Sequence, residues 1–274
     1  MDYSEVIYEV DEGIATVTLN RPDKLNAWTG TMDEEYRHAL ADAESRDEVR
    51  CIIVTGAGKG FCAGADMTLL AGITSGEKSG GDRPKAKVNP GNNNPRADFS
   101  KQYSYAPAMG TPIIGAINGA AVGLGFVQPL YYDMRFASDT AKFGTIFSQR
   151  GLVAEHGLSW MLPRIVGMGH AMDLILSGRI IKADEAESMG LVNKVYPADE
   201  LMDRVREYAK MLSTTSSPRS HREMKREVWN AQFQDLGAAI EEADKDMVES
   251  FTCADFKEGV QSFIERRPPQ FTGK

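Results

Sequence analysis

Two glycine-rich segments and one carboxylate carry the chemistry that this 274-residue sequence suggests. The segments are TGAGKGFCAGAD (residues 55–66) and INGAAVGLGF (residues 117–126). Each follows a short apolar run and precedes a helical pattern, the arrangement that frees backbone N–H groups at a helix start to bind negative charge. The first is no dinucleotide fingerprint, because Gly56, Gly58 and Gly60 have the wrong spacing and Phe61 takes the third glycine's place. Nor does it carry the GKS or GKT of a phosphate-binding P-loop. One such loop alone is usually a device for packing strand against helix closely. Two in one chain shift the balance towards an anion or oxyanion site.

The carboxylate is Glu155, in FSQRGLVAEHGLSWMLP (residues 147–163). Read by itself it is a first-turn acid of the following helix, favourable to the helix dipole and nothing more. His156, with no identifiable partner, reads as structural or as an auxiliary acid or base, and Trp160 and Met161 read as core or pocket wall. His38, His170 and His221 have no metal-ligand spacing, so no metal site is expected. Cys62 lies beside the first loop with no histidine near in sequence to activate it, and a nucleophilic role is not expected.

The elements that must position these groups follow from periodicity. Val6, Tyr8 and Val10, then Ala15, Val17 and Leu19 after the Asp11-Glu12-Gly13 turn, predict a hairpin. Thr31 and Glu34 stand at capping-box spacing, and Met32, Tyr36, Leu40 and Ala43 give a helix its apolar stripe. VRCIIVTG and TPIIGAING predict buried strands, each leading into one of the glycine loops, and DMRFAS predicts a third strand. Residues 73–104, rich in Gly, Asn, Pro, Lys and Asp, are too polar to bury a face and predict a mobile excursion beside the site. From residue 201 the pattern is helical, with stripes at Leu201, Val205, Tyr208 and Leu212, at Ile240, Ala243, Met247 and Phe251, and at Phe256, Val260 and Phe263. The expected division is a core over residues 1–200 and a C-terminal helical subdomain over residues 201–274.

Composition narrows the function classes. A net charge of −8 supplies no basic excess to neutralise phosphates, so nucleic acid is not an expected partner. Cys51, Cys62 and Cys253 are odd in number and widely spaced, which suits a reducing compartment. The acidic MDYSEVIYEVDEG shows no secretory signal pattern, so the expected location is cytoplasmic. The uncharged run from Gln102 to Tyr132 is broken by Pro107, Pro112, Asn118, Gln128 and Pro129, and no membrane partner is expected.

Five segments in order, IATVTLNRPDKLNAW, VRCIIVTGAGKGFCAGADM, PIIGAINGAAVGLGF, DMRFASDTAKFG and LSGRIIKADEAESMGLVNKVYP, resemble successive signatures of the enoyl-CoA hydratase/isomerase (crotonase) superfamily. EGVQSFIERRPPQF resembles that family's closing helix. The resemblance implies an α/β fold, a crotonase-like spiral of ββα turns with a C-terminal helical subdomain, assembled as a homotrimer or a dimer of trimers. It implies an acyl-CoA thioester partner, with coenzyme A arriving as part of the substrate and no tightly bound cofactor. By position in CAGAD and AVGLG, the Ala65 and Leu124 amides would form the oxyanion hole. Glycine is common in the family at the second position, but a backbone donor tolerates leucine. The resemblance also places Lys24, Leu25, Ala63, Ala65 and Asp66 along the adenine and pantetheine; Lys24 reads equally well as a solvated turn lysine.

The departures from the family pattern bear on the reaction. Its hydratases use two glutamates, and the corresponding positions here are Val127 and Phe147. Glu155 instead resembles the base of the family's Δ3,Δ2-enoyl-CoA isomerases, where one carboxylate in a dry pocket shuttles a proton from C2 to C4. The expected activity is therefore double-bond isomerisation. Hydration in fatty-acid degradation, hydrolysis or another lyase reaction using Glu155 with water, and a non-catalytic acyl-CoA-binding module stay open as alternatives.

Overall fold

The computed structural model describes residues 1–75 and 88–274. Strands β1 (Val6–Asp11) and β2 (Ile14–Leu19) form the expected antiparallel hairpin, with Glu12 and Gly13 both at positive φ, as its two-residue turn requires. Three turns then repeat a long strand followed by a short one. The long strands are β3 (Cys51–Gly56), β5 (Ile113–Ile117) and β7 (Met134–Ser138). The short ones are β4 (Gly60–Cys62), β6 (Ala120–Val122) and β8 (Lys142–Gly144). The helices α2 (Met67–Thr74), α3 (Leu124–Val127) and α4 (Leu158–Ser177) complete the turns. Long strands join β1, β2 and β10 (Lys194–Tyr196) in a six-stranded sheet of order β1-β2-β3-β5-β7-β10, parallel from β2 onward. Short strands join β9 (Ile181–Lys182) in a four-stranded sheet of order β4-β6-β8-β9. Neighbours in each sheet thus come from successive turns, which makes the chain a spiral.

Alternation along β3 explains why its sequence is continuously apolar. Ile52 and Val54 join the core containing Met32, Tyr36, Leu40 and Ala43 of α1 (Gly30–Ser45), whereas Cys51 and Ile53 face Leu201, Val205 and Ala209 of α6 (Leu201–Thr215). A strand covered on both faces needs apolar residues at every position. Helix α6, at the start of the expected helical tail, therefore covers the other face of the six-stranded sheet in a second core. Helix α1 starts two positions earlier than the Thr31–Glu34 pattern predicts: Thr29 is the cap, its hydroxyl accepting from Met32 N at 3.0 Å. The Thr29 backbone is extended, the conformation a cap requires, while Thr31 already lies within the helix.

The remaining helices are α5 (Ala183–Ser188), α7 (Pro218–Ala231), α8 (Leu236–Ser250) and α9 (Ala254–Glu265). Buried Lys225 fastens α7 to the core through Asp133, 2.8 Å away. Helices α8 and α9 instead leave apolar side chains in the open, with Met247 57%, Phe251 53% and Phe263 85% exposed. Part of the excursion expected over residues 73–104 lies outside the described residues. Residues 88–104 correct the expectation that such a polar stretch buries nothing: Asn94, Phe99 and Tyr103 are buried. Asn94 Nδ2 donates to Asn230 Oδ1 at 2.9 Å and Asn93 Nδ2 to the Arg222 carbonyl at 3.1 Å, so α7 supplies polar partners for a polar segment. Among the described residues, no helix is long and apolar enough to cross a membrane.

Candidate active site

The two glycine loops meet. A Cβ on Gly64 would lie 2.9 Å from the Val122 carbonyl oxygen and 3.7 Å from the Leu124 nitrogen, so Ala65 and Leu124 sit on touching segments of successive turns. Ala65 is held by Trp28 across a parallel bridge, with Trp28 N donating to Gly64 O at 2.7 Å and Asp66 N to Trp28 O at 3.0 Å. That pattern uses the amides on either side and leaves the Ala65 N–H outside it. Leu124 is the first residue of α3, where helix amides have no intrahelical acceptor. Helix α3 lies so close to β4 that a Cβ on Gly125 would come within 2.1 Å of the Cys62 carbonyl oxygen, which only glycine avoids.

The residues expected along coenzyme A gather around the first loop. Lys24 and Leu25 are exposed on a short 3₁₀ turn, Pro22–Lys24, and Ala63 N donates to Leu25 O at 2.9 Å. Asp66 is buried and committed to its own neighbours. It accepts from the Thr68 hydroxyl at 2.7 Å and the Thr68 amide at 2.9 Å, and pairs with Arg21 at 2.8 Å. These contacts, Thr68 first, hold its carboxyl down at about 2. Beside the same loop, burial pushes the Cys62 thiol up to about 12, which leaves it protonated and a poor nucleophile.

Glu155 is not a first-turn acid. It precedes the helix start, its carbonyl accepting from Leu158 N at 2.9 Å, and α4 runs for 20 residues with a non-helical break at Gly167. Two successive left-handed residues, His156 (φ 52) and Gly157 (φ 77), turn the chain there. Adjacent side chains in extended backbone point apart. Here the turn lets His156 Nε2 lie 2.9 Å from Glu155 Oε2, with the histidine side chain 13% and the glutamate side chain 31% exposed. Left-handed histidine is uncommon and needs support. Tyr131 provides it, its hydroxyl donating to the His156 carbonyl at 2.6 Å, and burial pushes that phenol up to about 12. A side chain on Gly157 would collide with the same hydroxyl, at 2.2 Å.

The two parts of the site are linked by rings. Trp28, which holds Ala65, meets Tyr103 edge-on at 6.3 Å, and Tyr103 meets the His156 imidazole edge-on at 4.5 Å. Beyond His156 opens a cavity of about 300 Å³ lined by Phe99, Tyr103, Tyr131, Trp160, Trp229 and Phe233, with His156 and Gly157 at its wall. Glu155 stands behind His156 and is not itself a lining residue. Val127 is fully buried and Phe147 partly buried against the core, so both positions where the family's hydratases carry glutamate are apolar here. The pocket-wall expectation for Trp160 agrees with its place in the cavity. Sequence reading missed Phe99, Tyr103, Tyr131, Trp229 and Phe233. The one available signal was the aromatic content of DFSKQYSY in an otherwise polar stretch.

Comparison with known proteins matches this geometry to a family. The model of the enoyl-CoA hydratase/isomerase family fits residues 9–274. The chain is 34% identical over 273 residues to the probable enoyl-CoA hydratase echA8 of Mycobacterium tuberculosis, covering 99% of each chain. It is 33% identical over 276 residues to the 1,2-epoxyphenylacetyl-CoA isomerase of Escherichia coli, covering 98% of each. The crystal structure of an enoyl-CoA hydratase from Bacillus anthracis superposes with a TM-score of 0.87 at 28% identity, over 99% of this chain and 100% of that one. The chain belongs to the enoyl-CoA hydratase/isomerase family, with the crotonase fold, and is an acyl-CoA enzyme of that type.

Proposed function

We propose that this enzyme shifts the double bond of an enoyl-CoA from the 3 to the 2 position, with Glu155 as the base. The thioester oxygen accepts hydrogen bonds from the Ala65 and Leu124 amides. Glu155 removes a proton from C2, the electron pair delocalises onto that oxygen as a dienolate, and the protonated carboxyl returns the proton at C4. Such a C–H is too weakly acidic without preorganised donors, and one donor of this kind is commonly worth about 10²–10³ in rate. His156, bonded to Glu155, orients the carboxylate. The observation that carries the reading is the apolar pair Val127 and Phe147, which leaves Glu155 as the carboxylate matching the family's isomerase base.

In this reading Lys24, Leu25, Ala63 and Ala65 lie along coenzyme A, which enters as part of the substrate with no tightly bound cofactor. Asp66 takes part through its backbone, since its carboxylate is engaged by Arg21 and Thr68. The exposed apolar faces of α8 and α9 favour assembly as a trimer or dimer of trimers, and the three free cysteines suit a cytoplasmic setting.

Hydration is the second reading, favoured by the names of the relatives, among them echA8 and the short-chain-enoyl-CoA hydratase of Clostridium acetobutylicum. There the Glu155–His156 pair would activate water. Purified protein is given 3-enoyl-CoA and, separately, 2-enoyl-CoA. Isomers are separated by chromatography and water addition is followed by mass. Conversion of the 3-enoyl thioester without mass gain supports the isomerase; rapid addition of water to the 2-enoyl thioester replaces it with the hydratase. Silence with both leaves an acyl-CoA-binding module.

A further inference from the structure

The cavity beyond His156 differs from a site for a flexible alkyl chain. Among the described residues, its lining contains no Leu, Ile, Val or Met side chain; together with the polar Asp98, Lys101, Gln102 and Ser104, six rings from four segments (Phe99 and Tyr103, Tyr131, Trp160, and Trp229 and Phe233) form it. Their orientation is fixed. Trp160 and Phe233 stack at 5.3 Å with 12° between planes. The Arg164 guanidinium lies over Trp160 at 3.8 Å, and that of Arg96 lies over Phe233 at 4.0 Å. Phe99 meets Trp229 at 5.6 Å and Phe233 at 6.2 Å, both edge-on.

The stack and the two guanidinium contacts hold Trp160 and Phe233 in place in the cavity wall. Ring edges are electropositive and pair with the electron-rich face of another aromatic ring, an attraction an alkyl chain cannot return. Size agrees: an apolar cavity of about 150 Å³ holds benzene in other proteins, and this one is about 300 Å³. His156 connects its wall to Glu155, so an acyl group reacting at Glu155 has this space beside it. We infer that the cavity is an aryl subsite, and that the enzyme selects acyl-CoA thioesters whose acyl group ends in an aromatic ring. The inference rests on the acyl-CoA reading above and names its substrate class.

Calorimetric titration with two saturated thioesters of equal carbon number, 5-phenylpentanoyl-CoA and undecanoyl-CoA, tests it without requiring turnover. The aryl thioester is expected to bind about tenfold more tightly. Phe233→Leu and Trp160→Leu are each expected to cut that preference to under threefold while the affinity for free coenzyme A stays unchanged. Equal or weaker binding of the aryl thioester by the unaltered enzyme overturns the inference. So does a preference that survives both substitutions, because the ring then binds elsewhere. The reaction is judged separately with 5-phenyl-3-pentenoyl-CoA: tight aryl binding with neither isomerisation nor hydration sinks the proposed chemistry and leaves the subsite standing.

Discussion

The Ala65–Leu124 side of the site is made of main chain, whereas the Glu155–Tyr103 side is made of side chains gathered from separate segments. On the first side, two loops of successive spiral turns touch, and glycines at 64 and 125 permit approaches that any side chain would block. In the proposed reaction this side acts through its peptide units, so the side chains of Ala65 and Leu124 would be free to vary. On the second side, the proposed roles rest on the identities of Glu155, His156 and the cavity rings, whose positions depend on a left-handed turn and on a loop fastened to α7. Rigidity comes from strand packing in one case and from hydrogen bonds and ring contacts in the other.

Substitutions can break this contrast, beginning with the largest expected effect. Glu155→Gln removes the base while keeping the side chain's shape, and turnover is expected to fall by about 10²–10⁴ with coenzyme A affinity unchanged. A loss of less than about tenfold in a steady-state assay would remove Glu155 from the mechanism. The backbone side is probed by Gly125→Ala, which drives a methyl group into the Cys62 carbonyl; a stability loss of about 1–3 kcal/mol is expected in denaturant unfolding. Gly157→Ala meets only the tip of Tyr131 but at positive φ, so about 1 kcal/mol of stability is expected to go, together with most of the turnover. If the two variants lose stability and activity in the same proportion, the contrast between the walls fails.

His156→Asn keeps a residue that tolerates left-handed backbone but deletes the imidazole paired with Glu155, and kcat is expected to drop about tenfold with little change in KM. An unchanged kcat would make the pair a structural contact only.

Acid sensitivity probes the loop that holds Ala65. The Asp66 carboxyl is depressed to about 2 in the folded protein, below its ordinary 3.8, so its stabilising contribution is complete above about pH 4 and is lost as pH falls towards 2. Asp66→Asn is expected to flatten the stability profile in that window, measured by urea unfolding; an unaltered slope would show that the Arg21 and Thr68 contacts add nothing. The smallest effect belongs to Leu124→Gly. The donor is the amide, so turnover is expected to stay within about threefold, with up to about 1 kcal/mol lost to glycine's backbone entropy. A much larger kinetic loss would mean that the leucine side chain shapes the site.

The two sides were also unequally legible in the sequence. Alternating apolar residues, the runs before each glycine loop and the stripe of α1 are local patterns set by the periods of strand and helix, and the structure has those elements in place. The cap at Thr29 was misplaced by two positions because Thr29 and Thr31 are both good capping residues and only the backbone turn chooses between them. The cavity was invisible for a stronger reason: Phe99 meets Trp229 and Tyr103 meets His156 across long stretches of chain, and no period links such residues.

What the sequence determined by itself was the repeat of strand and glycine loop, the family that repeat resembles, the apolar residues at positions 127 and 147, and Glu155 as the carboxylate to examine. Tertiary structure alone decided that Glu155 pairs with His156, that part of a polar stretch folds against α7, that α6 covers the second face of the six-stranded sheet, and that six rings gather around a cavity next to His156. The physical reason is range. Periodicity and turn preference are written in neighbouring residues, whereas a cavity and a side-chain pair depend on how distant segments close upon one another, and a backbone turn of two left-handed residues can reverse which side chains meet.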